Sequence, residues 1–177
     1  MLRLARLTLL TAAAAVPFAM SSQAGAAVVL TVDATDPSAA VISATGAAPL
    51  IDDTTSDSLA GVTLLDLFAS DFDINAFVVS ATGDLAANQS EVYESVANDV
   101  FSIGLRDLNL FNQLLPNSPQ AFSVSAPAFT GSLVVDLTGA DLVVGTVGDV
   151  IVGDTDLGSG VVMGQFQVVP APAALSA

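Results

Sequence analysis

The chain has no cysteine, no histidine and no tryptophan, and its only basic residues are Arg3, Arg6 and Arg106 among 177. Each absence closes a class of chemistry. Without thiolate or imidazole there is no zinc finger, no blue-copper site and no haem held by either ligand. A Ser-His-Asp triad and a Cys-His dyad both need an imidazole as base, so neither can be built. With so few cations there is no basic surface for phosphate, which excludes nucleic acid as a partner. Disulfides are excluded outright, so any stability must come from the core. Long apolar runs are also missing after the first twenty residues. Although 53% of the chain is hydrophobic, Asp, Ser, Thr and Gly interrupt every stretch well short of the ~18 residues of a spanning helix.

Two of the three arginines stand at the very start. Arg3 and Arg6 precede an apolar stretch over 7–20, and Ser21, Ser22 and Gln23 lead into Ala24-Gly25-Ala26. A positive n-region, an apolar h-region and a small-residue A-x-A site, in that order, read as a secretory signal peptide cleaved after Ala26. An anchoring amphipathic helix is the bland alternative, but the segment is short for a bilayer and no stop-transfer pattern follows. Secretion out of the cell, or to its surface, is therefore expected. Residues 27–177 keep all 18 acidic side chains and the single base Arg106, a balance of 1 − 18 = −17. Such a surface is soluble and is repelled by anionic lipid.

The remaining residues consist of short β-branched runs separated by turn formers. Candidate strands lie at 28–32, 41–45, 62–68, 74–82, 100–105, 121–125, 129–138, 141–152 and 161–169. In Gln165-Phe166-Gln167-Val168 and Phe122-Ser123-Val124-Ser125 apolar and polar residues alternate, the period of a half-buried strand. Thr82-Gly83-Asp84, Pro116-Asn117-Ser118-Pro119 and Gly158-Ser159-Gly160 supply turn chemistry between runs. The pattern predicts an all-β chain, a single-domain antiparallel β-sandwich of about nine short strands over 27–169. One segment departs from it. Leu85, Val92 and Val96 fall near helical spacing within a polar, Ala- and Glu-containing stretch, which predicts a short helix near 85–98.

With imidazole, thiol and lysine gone, catalysis would rest on carboxylates and hydroxyls. Asp52 with Asp53, Asp71 with Asp73 and Asp154 with Asp156 are close in sequence, yet glycoside hydrolysis needs two carboxyls opposed across ~5–10 Å. No enzymatic role, and no catalytic residue, is expected. Calcium is a better use of the acids. Asp71-Phe72-Asp73-Ile74-Asn75 matches the D-x-[DN]-x-[DN] opening of an oxygen-rich loop, so Asp71, Asp73 and Asn75 are the candidate metal ligands. Ala76 and Thr82 stand where an EF-hand needs Gly and Glu, and that motif is rejected. If 71–75 is a strand, the i, i+2 spacing simply points both aspartates to solvent. Asp154-Thr155-Asp156 is a weaker candidate. Arg106, beside Asp107, is read as the partner of a neighbouring carboxylate.

The last residues carry the most specific signal. A strand ends at Pro170, which has no N–H for the ladder, and an extended Pro-Ala tail over 170–177 follows. Val169-Pro170-Ala171-Pro172-Ala173-Ala174-Leu175 resembles the start of the PEP-CTERM sorting signal in its Val-Pro-x-Pro-Ala form, with Val169, Pro170, Pro172 and Ala173 as the matching residues. The resemblance implies a Gram-negative bacterium, an exosortase that processes the tail, and delivery to the cell surface or extracellular matrix beside exopolysaccharide or other surface proteins. Only Ser176 and Ala177 follow Leu175, in place of the family's apolar helix and arginine cluster, so no stable membrane anchor is expected in this chain. The resulting expectation is a non-enzymatic surface or biofilm-matrix protein. A calcium-assisted glycan- or protein-binding adhesion module is the alternative.

Overall fold

A computed structural model describes residues 26–54, 61–74, 79–88, 91–98, 104–113, 119–153 and 160–170. They form an all-β fold. The strands in chain order are β1 (Val28–Asp33), β2 (Ala40–Ala44), β3 (Asp53–Thr54), β4 (Val62–Leu64), β5 (Val79–Ser80), β6 (Thr82–Gly83) and β7 (Ala86–Ala87). Then come β8 (Ser95–Ala97), β9 (Leu108–Phe111), β10 (Ala121–Phe122), β11 (Phe129–Thr130), β12 (Ser132–Val135), β13 (Val147–Val152) and β14 (Val162–Val169). Among the described residues the helical content is one 3-10 turn, Pro37–Ala39, where the Asp36 carboxylate accepts the Ser38 N–H at 3.0 Å.

Ten strands make one sheet in the order β5-β8-β9-β4-β13-β14-β1-β2-β12-β6. Its two outermost members are consecutive in the chain, separated only by Ala81. The sheet therefore curls until its ends meet in the single stretch 79–83, whose upper half pairs with β8 and whose lower half pairs with β12. Closure of this kind removes the long unpaired edges that invite aggregation. Two-stranded ribbons, β3 with β10 and β7 with β11, lie beside it.

The core is what the curled sheet encloses. Leu30, Val32, Ile42, Leu64, Leu108, Leu110, Leu133, Val150, Phe166 and Val168 are all but fully buried. β14 shows why the sequence folds so: its side chains alternate between buried and half-buried from Gly164 to Val169, matching the period of two read from Gln165-Phe166-Gln167-Val168. Phe166 lies opposite Gly148 on β13, and a Cβ on Gly148 would sit 2.5 Å from the Phe166 ring. The ring packs where any other residue would put its own side chain.

Three expectations are corrected in detail. The all-β class holds, but the described strands are shorter and more numerous than about nine, and one central pair, β1 with β14, is parallel within an otherwise antiparallel sheet. The helix near 85–98 is absent from the described part of that segment. Tyr93 N–H donates to the Leu85 carbonyl at 2.8 Å and Ala86 bridges Val92 in antiparallel fashion, so the backbone bonds run between extended stretches. Leu85, Ala86, Ala87, Tyr93, Ser95, Val96 and Ala97 are all buried, whereas a helix over one end would bury a single stripe. The 121–125 and 141–152 runs are also only partly strand: Ser123 and Val143 each open a turn, accepting from Ala126 and Thr146.

Candidate functional site

Strand directions sort the loops into two ends. β1 and β14 run parallel, with Asp33 beside Val169, so β1 finishes where β14 finishes. Eight residues of β14 at about 3.3 Å each put the two ends roughly 25 Å apart. At the end where β14 exits stand the loops after β1, β4, β8 and β12 and before β9 and β13. Asp36, Asp66, Asp71, Asp73, Asp107, Asp136 and Asp141 lie on them, with Arg106, and Asp33 ends β1 beside them. The far end holds the ribbons and a cluster in which Phe129 meets Phe122 at 5.7 Å and Tyr93 at 6.4 Å.

The loop of the candidate metal ligands is built from its apolar members. Phe72 packs edge-on against Phe68 at 5.0 Å, and Ile74 is buried. Asn98 clamps this loop from below: its amide donates to the carbonyls of Phe72 and of Leu105, the latter at 3.1 Å, and its oxygen accepts from Ile74 N–H at 3.3 Å. With Phe72 and Ile74 directed inward, Asp71 and Asp73, which alternate with them, are left exposed. That is the solvated-face arrangement of i, i+2 spacing. Asn75, the third candidate ligand, lies outside the described residues, as do Asp154 and Asp156. Among the described residues no three acidic side chains gather closely enough to hold a metal ion.

The neighbouring carboxylates hold their own loops. Asp107 accepts the Asp66 N–H at 2.6 Å through one oxygen and the Gly104 N–H at 3.2 Å through the other. It thereby ties together the turns on either side of the β4–β9 pair, with Asp66 in a left-handed conformation at φ 53°. Arg106 bridges to Asp66 at 3.3 Å and donates from Nε to the Phe68 carbonyl at 3.0 Å. The pairing with a nearby carboxylate is as expected. Asp33 accepts from the hydroxyl and N–H of Thr35 at 2.6 and 3.0 Å, and these bonds, the hydroxyl foremost, hold its carboxyl below the usual carboxylate range. Asp136 is lowered by the same pair of bonds from Thr138. Neither Asn98 nor Asp107 was singled out by spacing, because their partners are loops up to 41 residues away.

Of the sorting-motif residues, Val169 is the last residue of β14 and half-buried, and Pro170 follows it outside the strand, exposed. Pro172 and Ala173 lie outside the described residues. Beside this exit Gly145 N–H donates to the Val168 carbonyl at 2.8 Å, and Val143, Val144 and Val147 are half exposed. No protein-family model, curated protein or solved structure matches this chain.

Proposed function

We propose that this chain is an exported, non-enzymatic component of the surface or extracellular matrix of a Gram-negative bacterium. The observation that carries the reading is how the body meets its tail. β14 is held on both sides, by β1 and β13, and runs to Val169 before giving way at Pro170 to the sequence resembling a sorting signal. Pull on the tail would load the middle of the sheet rather than an edge. The signal-like residues 1–26 and the cysteine-free, acidic composition support the same reading, with exopolysaccharide or other surface proteins as neighbours and an exosortase as the enzyme of the tail. The test is to produce the whole chain in a Gram-negative host and fractionate the culture. The protein is expected outside the inner membrane with Ala27 as its first residue. A chain still beginning at Met1 in the cytosol overturns the reading.

A calcium-assisted binding module is the second reading. It is favoured by Asp71 and Asp73, which are exposed on one loop at an end crowded with carboxylates.

A further inference from the structure

Residues 79–83 differ from the other strands of the closed sheet. β14 has partners along both sides, but among the described residues this stretch has one strand partner at a time. Val79 and Ser80 pair with Val96 and Ser95, and Thr82 and Gly83 pair with Val134 and Leu133. Ala81 N–H adds a bond to the Glu94 carbonyl at 2.9 Å. Below it, the N–H groups of Asp84 and Leu85 both donate to the Ser132 carbonyl at 2.9 and 3.1 Å, while Ser132 N–H donates to the Asp84 carboxylate at 2.9 Å. Among the described residues each half of the stretch is thus bonded on a single flank, which makes it the part of the sheet that opens at least cost.

Opening leaves the outer edge of β12 bare, and a bare edge templates another strand. The requirements of that edge are narrow. The strand laid on it must bring its backbone against the Ser132 carbonyl, because a Cβ at position 83 would stand 2.1 Å from that oxygen, and φ there is +146°. Only glycine meets both conditions. The next residue must offer an acceptor to Ser132 N–H, as Asp84 does. The sequence that fits is Thr82-Gly83-Asp84 itself, and a second molecule carries it too. We propose that residues 79–84 exchange between two copies of the chain, so that each copy closes the sheet of the other. Such an exchange re-forms the strand pairings of the stretch in the dimer. The strong negative charge of each copy opposes it, so salt favours the dimer. The inference does not rest on the proposed function.

The absence of cysteine allows a direct test. Thr82 and Val134 are opposite one another and both exposed, so Thr82→Cys with Val134→Cys reports which chain supplies the strand. The reduced double variant is concentrated in urea below the unfolding transition, returned to buffer, oxidised and separated by size. The expected dimer has its chains joined covalently on a non-reducing gel, and protein oxidised beforehand as monomer gives no dimer. Absence of dimer from the reduced protein, or a dimer whose chains separate on that gel, overturns the proposal. Should the cysteine pair prevent folding, Asp84→Ala carries the test. Loosening the strand is expected to raise the rate of dimer formation several-fold, and an unchanged rate overturns it.

Discussion

Tyr93 is the one tyrosine of the chain, and it is fully buried with its hydroxyl donating to Gln120 Oε1 at 2.9 Å. Burial raises its pKa far above the ordinary value of 10.0. The neutral phenol is the form the fold holds, so the stability it contributes is complete below pH 10.0 and is lost as pH rises beyond it. An alkaline titration followed by tyrosine absorbance should therefore show ionisation only together with unfolding, and a separate transition near the ordinary value would place the ring in water. Tyr93→Phe is expected to lower stability by about 1–2 kcal/mol in denaturant melts. Asp33 gives the opposite sign. Its lowered pKa means that the contribution of the Thr35 bonds is present above the ordinary carboxylate value of 3.8 and lost as pH falls through the lower folded-state value. Thr35→Val should melt below wild type at about pH 6, and the gap should close toward about pH 2. Composition let the pairing of Arg106 be read in advance, because one cation among so many carboxylates has partners on every side. Asn98 and Asp107 could not be read, since their roles exist only once distant loops meet.

At the scale of elements, β14 was the most legible because strict alternation leaves one solution for which face is inward. Runs of valine without alternation were less so. Val143 and Val144 continue into Val147–Val152 in sequence, yet a turn at Gly145 sets them apart from the strand and leaves them half exposed. Helical spacing at Leu85, Val92 and Val96 was a coincidence of period. The segment's described residues pair with one another, Ala86 bridging Val92, and bury consecutive side chains at 85–87 and 95–97, which periodicity of three residues cannot report. Packing of β13 on β14 turns on the Gly148–Phe166 contact. Gly148→Ala would press a methyl to within 2.5 Å of the ring and 2.6 Å of the Leu65 carbonyl, an overpacking expected to cost about 1–3 kcal/mol. Phe166→Ala, which empties the site instead, should cost about 3–5 kcal/mol. Equilibrium denaturation of both variants checks the order.

For the whole molecule, the all-β class followed from short branched runs and frequent turns, but closure of the sheet did not. It depends on residues 79–83 serving two partners, a fact of topology with no local signature. The same topology places carboxylates from loops widely separated in sequence at the end where β14 leaves. Asp33, Asp107 and Asp136 hold backbone N–H groups, and Asp71 and Asp73 are exposed on their loop. We propose that the acids act as a solvated coat with local loop-holding roles, a reading that a bound calcium ion would overturn. The most direct measurement is a thermal melt of the protein in EGTA and again in excess calcium. An ion bound only by the folded state raises stability by about 2.7 kcal/mol at a hundredfold excess over its Kd. No shift is the expected result. A clear upward shift would contradict the solvated coat and make the loops at the tail end the ligands of a calcium-organised binding module.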